Sequence, residues 1–298
     1  MRSAAALQYA IHMIEILAHK DRTQSEPQPD LKPSPGAAVP WIPIPPLDLD
    51  HTTIFFDIDG TLLDLAPTPL EVNVSMRLQN SLVALKSRLG GAIAFVSGRP
   101  IAEIDRLFAP LQVAAVGGHG AEIRFTPDGE IKRSKLATID DVLRAEFASI
   151  IELAPGIIIE DKGYSVAIHY RLSPDLGGEV MEHIVAICRS ETCDALEILP
   201  GKFVIEVKPR GYNKGTGIVE MMTVPPFLGR KPIFIGDDVT DQAAFAALPD
   251  FGGTGISVGG MQPGASFNFG GPHDVRLWIE HLATERAGHG RVVGTERA

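Results

Sequence analysis

A chain of 298 residues with a formal charge of −10 is a poor partner for nucleic acid or for an anionic membrane, both of which call for clustered lysine and arginine. Its 45% hydrophobic and 21% charged residues are those of a globular protein, and the length accommodates a main domain with a smaller second one. The two cysteines, Cys188 and Cys193, do not make a disulfide framework.

The chain opens on MRSAAALQYAIHMIEILAHK, where Gln8, His12 and Glu15 interrupt the apolar run. That pattern suits an amphipathic helix better than a secretory leader, which places the protein in the cytoplasm. Residues 21–50 hold eight of the 23 prolines and read as an extended linker.

From Thr52 short apolar runs alternate with helical spacing. TTIFFD (52–57), AIAFVSG (92–98) and VAAVGG (113–118) are predicted strands, with helices over 76–89 and 101–108 between them. The same alternation returns late: helix 214–222, strand KPIFIG (231–236), helix 240–248, strand GISVG (255–259) and helix 274–284. Continuous apolar strands separated by helices indicate a parallel sheet covered on both faces.

Between 122 and 208 the pattern changes. Over 202–208, Lys202, Val204, Glu206 and Lys208 share one face and Phe203, Ile205 and Val207 the other, as in a strand with one wet side. Glu160 and Lys162 lie on one side of a second such strand, and His169 and Arg171 together on a third. With helical patterns over 140–154 and 178–188, this is an antiparallel sheet backed by helices and inserted into the parallel one. The expected division is therefore a helix and linker (1–50), a core (51–121 and 209–285), a cap (122–208) and a tail (286–298).

In an open parallel sheet ligands bind beyond the carboxyl ends of the strands. Four polar groups close apolar strands or open helices there: Asp57-Ile58-Asp59-Gly60-Thr61, Ser97-Gly98-Arg99, Asn213-Lys214-Gly215-Thr216, and Gly236-Asp237-Asp238-Val239-Thr240-Asp241. Carboxylates gathered this way repel one another unless a hard cation joins them. An oxygen-only set favours Mg²⁺, with Asp57, Asp237 and a backbone carbonyl near Asp59 as ligands. A carboxylate in that setting can attack phosphorus, and the second acid can protonate the leaving oxygen. Gly60 lets the backbone approach the phosphate, and Thr61 adds a hydroxyl. His119 and His169 read as hydrogen-bonded structural histidines, and Arg99 as an arginine that satisfies carbonyls at a helix start or, alternatively, takes a direct catalytic part.

These residues resemble the four motifs of the haloacid dehalogenase-type phosphatases. The likeness extends to the trehalose-6-phosphate phosphatases through VSGRP (96–100), GGHGAEIR (117–124), EDKGYSVAIHYR (160–171), LPGKFVIEVKPRGYNKG (199–215) and IFIGDDVTD (233–241), and covers about 52–258. It implies an α/β fold, a haloacid dehalogenase-like parallel-sheet core with an inserted α+β cap. By position it also implies Asp57 as nucleophile, Asp59 as general acid and then base, and Ser97 and Lys214 as holders of phosphoryl oxygens. Asp237 would bind Mg²⁺, Asp241 would steady Lys214, and Asp238 would support the ligands. Glu160, Lys162, Lys202 and Glu206 would read sugar hydroxyls. The implied substrate is a phosphorylated disaccharide, trehalose 6-phosphate, and the implied partner a trehalose-6-phosphate synthase. Sucrose 6-phosphate or a glycosyl-phosphoglycerate as substrate, a phosphosugar mutase and a non-catalytic module remain alternatives. Gln242 departs from the pattern, which has glutamate after the last aspartate.

Overall fold

The computed structural model describes residues 47–65, 72–134, 139–188, 195–201 and 203–284. The expected N-terminal helix, the linker up to residue 46, Cys193, Lys202 and the 286–298 tail lie outside them.

Five strands come first, β1 (Thr52–Phe56), β2 (Ile93–Val96), β3 (Ala114–Gly117), β4 (Glu122–Arg124) and β5 (Lys132–Arg133). The chain then builds β6 (Ile158–Asp161), β7 (Val166–His169), β8 (Leu196–Gly201) and β9 (Val204–Pro209) in a separate sheet, and returns for β10 (Lys231–Gly236), β11 (Thr254–Val258) and β12 (Phe267–Phe269). The large sheet has the order β12-β11-β10-β1-β2-β3-β4-β5 and the small one β6-β7-β9-β8. Strand β1 pairs in parallel with both β2 and β10. The chain leaves β1 toward one side of the sheet and later returns on the other. That reversal makes the carboxyl ends of β1 and β10 the crevice where such sheets take ligands.

Every residue of β1 and β2 is buried. The apolar runs Ile54–Phe56 and Ile93–Val96 within them follow from cover on both faces. Phe55 stacks on Phe227 at 5.5 Å, Phe95 meets Phe108 at 4.3 Å, and Phe234 packs edge-on to Phe245 at 5.2 Å. Helix α1 (Met76–Arg88) starts on Ser75, whose hydroxyl accepts from the Leu78 amide, and buries Leu78, Leu82 and Leu85. Each of those leucines contributes about 1.5–3 kcal/mol of burial. The second helix, α2 (Ile101–Phe108), buries Ile101, Ile104 and Phe108.

In the smaller unit α3 (Asp141–Ser149) and α4 (Gly177–Ile187) close over one face of the small sheet. Phe147 and Ile184 from these helices share a second apolar cluster with Ile168, Ile205 and Val207. The return to the large sheet brings α5 (Lys214–Met221), α6 (Gln242–Ala247) and α7 (Pro272–Thr284). Among the described residues no helix is long and apolar enough to cross a membrane.

Three expectations need correction. Residues 122–134, expected to open the cap, extend the large sheet: β4 pairs with β3, and β5 with β4, both antiparallel. Their polar residues are covered too: Glu122 and Arg124 are 8% and 4% exposed. Glu122 accepts from the Ile101 amide at the start of α2, and Arg124 forks onto Asp105. The 202–208 stretch is not one strand: Gly201 pairs with Val204, so the chain reverses there, with Phe203 at φ 60°. Nor does the polar face of β9 meet water, because Glu206 and Lys208 are 6% and 0% exposed.

Candidate active site

The Asp57 amide continues the β1 ladder by donating to the Ile235 carbonyl at 2.9 Å, which delivers the Asp57 carboxylate beside the end of β10. Beyond it the chain turns at Gly60, φ 84°, where a Cβ would lie 2.1 Å from Asp237 Oδ2. Only glycine lets the two strand ends approach this closely. The hydroxyl of Thr61, fully buried, faces Asp237 Oδ1 at 3.4 Å.

Lys214 is the first residue of α5, whose start Asn213 fixes by a reciprocal capping box with Thr216. From there its ammonium donates to Asp57 Oδ1 at 2.7 Å and to Asp241 Oδ1 at 2.6 Å. Asp241 is wholly buried, and its other oxygen accepts from the Asp238 amide at 3.0 Å. Both its oxygens are thereby engaged. Oxygens of Asp57, Asp237 and Asp241 lie within 4.8 Å of one another.

Three carboxylates around one ammonium leave an excess of negative charge. Burial pushes Asp57 up to about 7 against the pull of Lys214, with Asp241 and Asp59 adding repulsion. Asp237 goes up to about 9, from burial first and then from Asp57 and Asp241. Burial works against the Lys214 ammonium as well, but Asp241 and Asp57 outweigh it and hold the group well above the usual lysine range. A hard divalent cation fits this oxygen-only set, since it supplies the positive charge the cluster lacks.

Ser97 is buried at the end of β2, and its hydroxyl accepts from the Arg99 amide at 3.1 Å. The Arg99 guanidinium forks onto Asp59, Nε to Oδ2 at 2.7 Å and Nη2 to Oδ1 at 2.8 Å. Both carboxylate oxygens of Asp59 thus engage Arg99, and Asp59 is not among the acids whose oxygens gather within 4.8 Å, which are Asp57, Asp237 and Asp241.

Above these groups stands the small sheet. Glu160, Lys162 and Glu206 line the same cleft of about 180 Å³ as Asp57, Ser97 and Lys214. Lys162 donates to Glu206 at 3.0 Å, and His169 pairs with Glu160 at 2.8 Å. Burial raises Glu206, yet Lys162 and His119 outweigh it and hold the carboxyl well below its usual range. Burial likewise opposes the Lys162 charge, which Glu206 and Glu160 more than restore. Lys202 lies outside the described residues, so three of the four expected sugar readers are brought together over the aspartates. Asp238 and Thr240 also line the cleft.

Three features were not read from the sequence. Arg99 was expected at helix-start carbonyls or in a direct catalytic part, and its fork on Asp59 was not. His119 reaches from the core to Glu206 at 3.0 Å, and Tyr164 donates to the Gly98 carbonyl at 3.3 Å. Gln242 uses the amide that distinguishes it from glutamate: Nε2 faces Gln262 Oε1 at 3.4 Å, and Gln262 in turn donates to the Asp237 carbonyl at 3.1 Å.

A parallel-sheet core with acids at the ends of β1 and β10, a lysine at a helix start and an inserted antiparallel cap define a haloacid dehalogenase-like α/β fold. The C-terminal domain of trehalose-6-phosphate phosphatase from C. albicans superposes with a TM-score of 0.71 at 24% identity, over 78% of this chain and 92% of that one. The sequence model of the trehalose-phosphatase family matches residues 55–266. The chain is 42% identical to a probable trehalose-phosphate phosphatase of Sinorhizobium fredii, over 72% of its own length and 81% of that protein. It is 35% identical to the trehalose-6-phosphate phosphatase of Escherichia coli, over 77% and 86% of the two chains. The chain belongs to the trehalose-phosphatase family and is a phosphatase.

Proposed function

We propose that the protein hydrolyses trehalose 6-phosphate to trehalose and phosphate, with Mg²⁺ and through an aspartyl-phosphate on Asp57. The observation that carries this reading is the meeting of Asp57, Lys214, Asp241 and Asp237 beneath Glu160, Lys162 and Glu206 in one cleft. The relatives' names supply the sugar, and a trehalose-6-phosphate synthase would supply the substrate.

Asp57, Asp237 and the Asp59 carbonyl would hold the Mg²⁺, with Asp238 and Asp241 behind them. When bound, the ion neutralises phosphoryl oxygens and offsets the crowding of carboxylates. Lys214 keeps Asp57 in place and adds positive charge where the phosphoryl oxygens gather, while Ser97 and Thr61 offer hydroxyls. An Asp57 carboxylate oxygen bonds to phosphorus, the ester P–O bond breaks, and the sugar oxygen takes a proton from Asp59. In the second half Asp59 removes a proton from water, whose oxygen attacks phosphorus and breaks the bond to Asp57. Asp59 performs these transfers after leaving the Arg99 fork.

The cleft of about 180 Å³ is smaller than the 300–1,000 Å³ usual for small-molecule sites. A phosphorylated disaccharide therefore enters with the small sheet raised, and its closure excludes water. Glu160, Lys162, Lys202 and Glu206 then read sugar hydroxyls, and groups of this kind reject a sugar that leaves them unpaired.

The test is phosphate release from trehalose 6-phosphate, sucrose 6-phosphate and a glycosyl-phosphoglycerate, with Mg²⁺ and with chelator. Release from trehalose 6-phosphate is expected to be fastest, to need Mg²⁺ and to vanish in Asp57→Asn. Turnover by Asp57→Asn near the unmutated rate removes Asp57 as the nucleophile.

A further inference from the structure

His119 stands in the core between Gly118 and Gly120 with φ 53°, a left-handed backbone that costs a residue bearing a Cβ roughly 1–2 kcal/mol. Glycine on either side shows how easily this turn is made without a side chain. The His119 backbone amide donates to the Ser97 carbonyl at 3.0 Å, and the Gly118 amide donates to the Arg99 carbonyl at 2.9 Å, so this turn is fastened to the Ser97–Arg99 loop. The imidazole ring packs against Gly98, where a Cβ would meet Nε2 at 2.3 Å.

From that seat His119 Nε2 reaches Glu206 Oε2 of β9 at 3.0 Å, with the two side chains 9% and 8% exposed. A carboxylate only accepts, so Nε2 carries the proton. Glu206 also accepts from Lys162 Nζ at 3.0 Å and from Ser165 Oγ at 2.5 Å. Nδ1 of the ring is buried and has no hydrogen-bond partner among the described residues. The ring is thus held by its contact with Glu206 and by packing alone. A second tie runs alongside: the Tyr164 ring of the small unit covers Gly118, where a Cβ would meet it at 2.3 Å, and its hydroxyl donates to Gly98.

We infer that His119 is a positioning residue that joins the two halves of recognition. Its imidazole, seated on the loop that carries Ser97, sets the carboxylate of Glu206 over the reaction centre, so that engagement of the sugar and engagement of the phosphoryl group become one event. This rests on the reading of Glu206 as a sugar-recognising group. Strain at a non-glycine left-handed residue persists where the surroundings over-determine it; here two backbone hydrogen bonds hold the turn, and the side chain adds the bond to Glu206.

The alternatives separate by side-chain geometry. Glutamine places its amide nitrogen close to where imidazole Nε2 lies, whereas asparagine places it near Nδ1. Asparagine is the better left-handed residue. A bond-forming role ranks His119→Gln above His119→Asn, and a backbone role ranks them the other way. The measurement is kcat/KM for trehalose 6-phosphate beside that for p-nitrophenyl phosphate, which offers Glu206 no sugar. Expected are His119→Gln within about threefold of the unmutated protein on the sugar phosphate and His119→Asn down roughly tenfold or more, from the loss of a hydrogen bond to a charged group. On p-nitrophenyl phosphate both are expected to change by no more than about threefold, since that substrate carries no sugar through which Glu206 could be coupled to the phosphoryl group. Asparagine equal to or better than glutamine, or equal losses on both substrates, overturns the inference. Should His119→Asn not fold, His119→Gly removes the ring while relaxing the backbone, and full activity of that variant on the sugar phosphate overturns it equally. If the unmutated protein prefers sucrose 6-phosphate, the substrate assignment fails while the His119 comparison proceeds on that sugar. Hydrolysis of the aryl phosphate with no phosphorylated sugar accepted sinks both.

Discussion

Replacing Lys214 by methionine tests the electrostatic account of the site most directly. The ammonium is 4% exposed and lies between Asp57 and Asp241, which are 6% and 0% exposed. Methionine keeps much of the volume and removes the charge. A buried carboxylate that loses its cation escapes by taking a proton, which from an ordinary value of 3.8 costs about 4 kcal/mol at pH 7 and about 1.6 kcal/mol at pH 5. That escape sets a ceiling for each stranded group. It agrees with the roughly 3–5 kcal/mol found when one member of a buried pair is deleted.

The sign follows from proton counting. The folded variant must hold protons that its unfolded chain releases, so ν_N exceeds ν_U and stability falls as pH rises above 4. Urea unfolding of Lys214→Met in chelator is therefore expected to show a loss of about 3–5 kcal/mol at pH 7, shrinking to about 1–2 kcal/mol at pH 5. Adding Asp241→Asn removes one stranded charge and is expected to restore about half of the loss or more, without restoring phosphate release. A penalty that stays constant with pH, or grows toward acid, refutes the reasoning. So does a double variant no more stable than the single one.

The metal-free protein carries a related signature: Asp57 and Asp237 are pushed up to about 7 and about 9, so the folded state binds extra protons above pH 4. Its thermal midpoint in chelator should fall as pH rises from 5 to 9, and stabilisation by Mg²⁺ should grow over the same range; a midpoint that climbs in chelator contradicts the assignment. Gly60→Ala combines φ 84° with a Cβ 2.1 Å from Asp237 Oδ2, so the Asp237 carboxylate must move. Half-maximal activity is expected to need roughly tenfold more Mg²⁺, on the order of 1–3 kcal/mol of strain, and an unchanged Mg²⁺ titration would exclude the displacement.

Much of this architecture is legible in the chain because two-sided burial leaves few choices. The runs Ile54–Phe56, Ile93–Val96, Ala114–Val116 and Ile233–Ile235 are apolar and buried, and an acid can stand at the end of such a run only where the strand leaves the core. The acids and the lysine at strand and helix ends are therefore visible before any fold is known. Periodicity is less informative about polar faces. Alternation in 202–208 correctly puts Glu206 and Lys208 opposite Ile205 and Val207, but it cannot say what covers that face. Here Glu206 is covered by His119, Lys162 and Ser165. Lys208 is covered by Glu197, by the carbonyls of Pro209 and Tyr212, and by the Tyr212 ring 4.2 Å away. The same blindness hid β4, whose Glu122 and Arg124 are buried by pairing with the start and middle of α2.

A polar residue reads as solvated until its partner is known, and the partners here are distant. Lys214 and Asp57 lie 157 positions apart, and His119 and Glu206 lie 87 apart. Local pattern carries the period of an element, whereas these pairings depend on how the two sheets close on one another. Sequence reasoning accordingly picked out the acids that the fold gathers at the ends of β1 and β10, and it missed the Arg99 fork and the His119 bridge, whose significance lies wholly in what they touch.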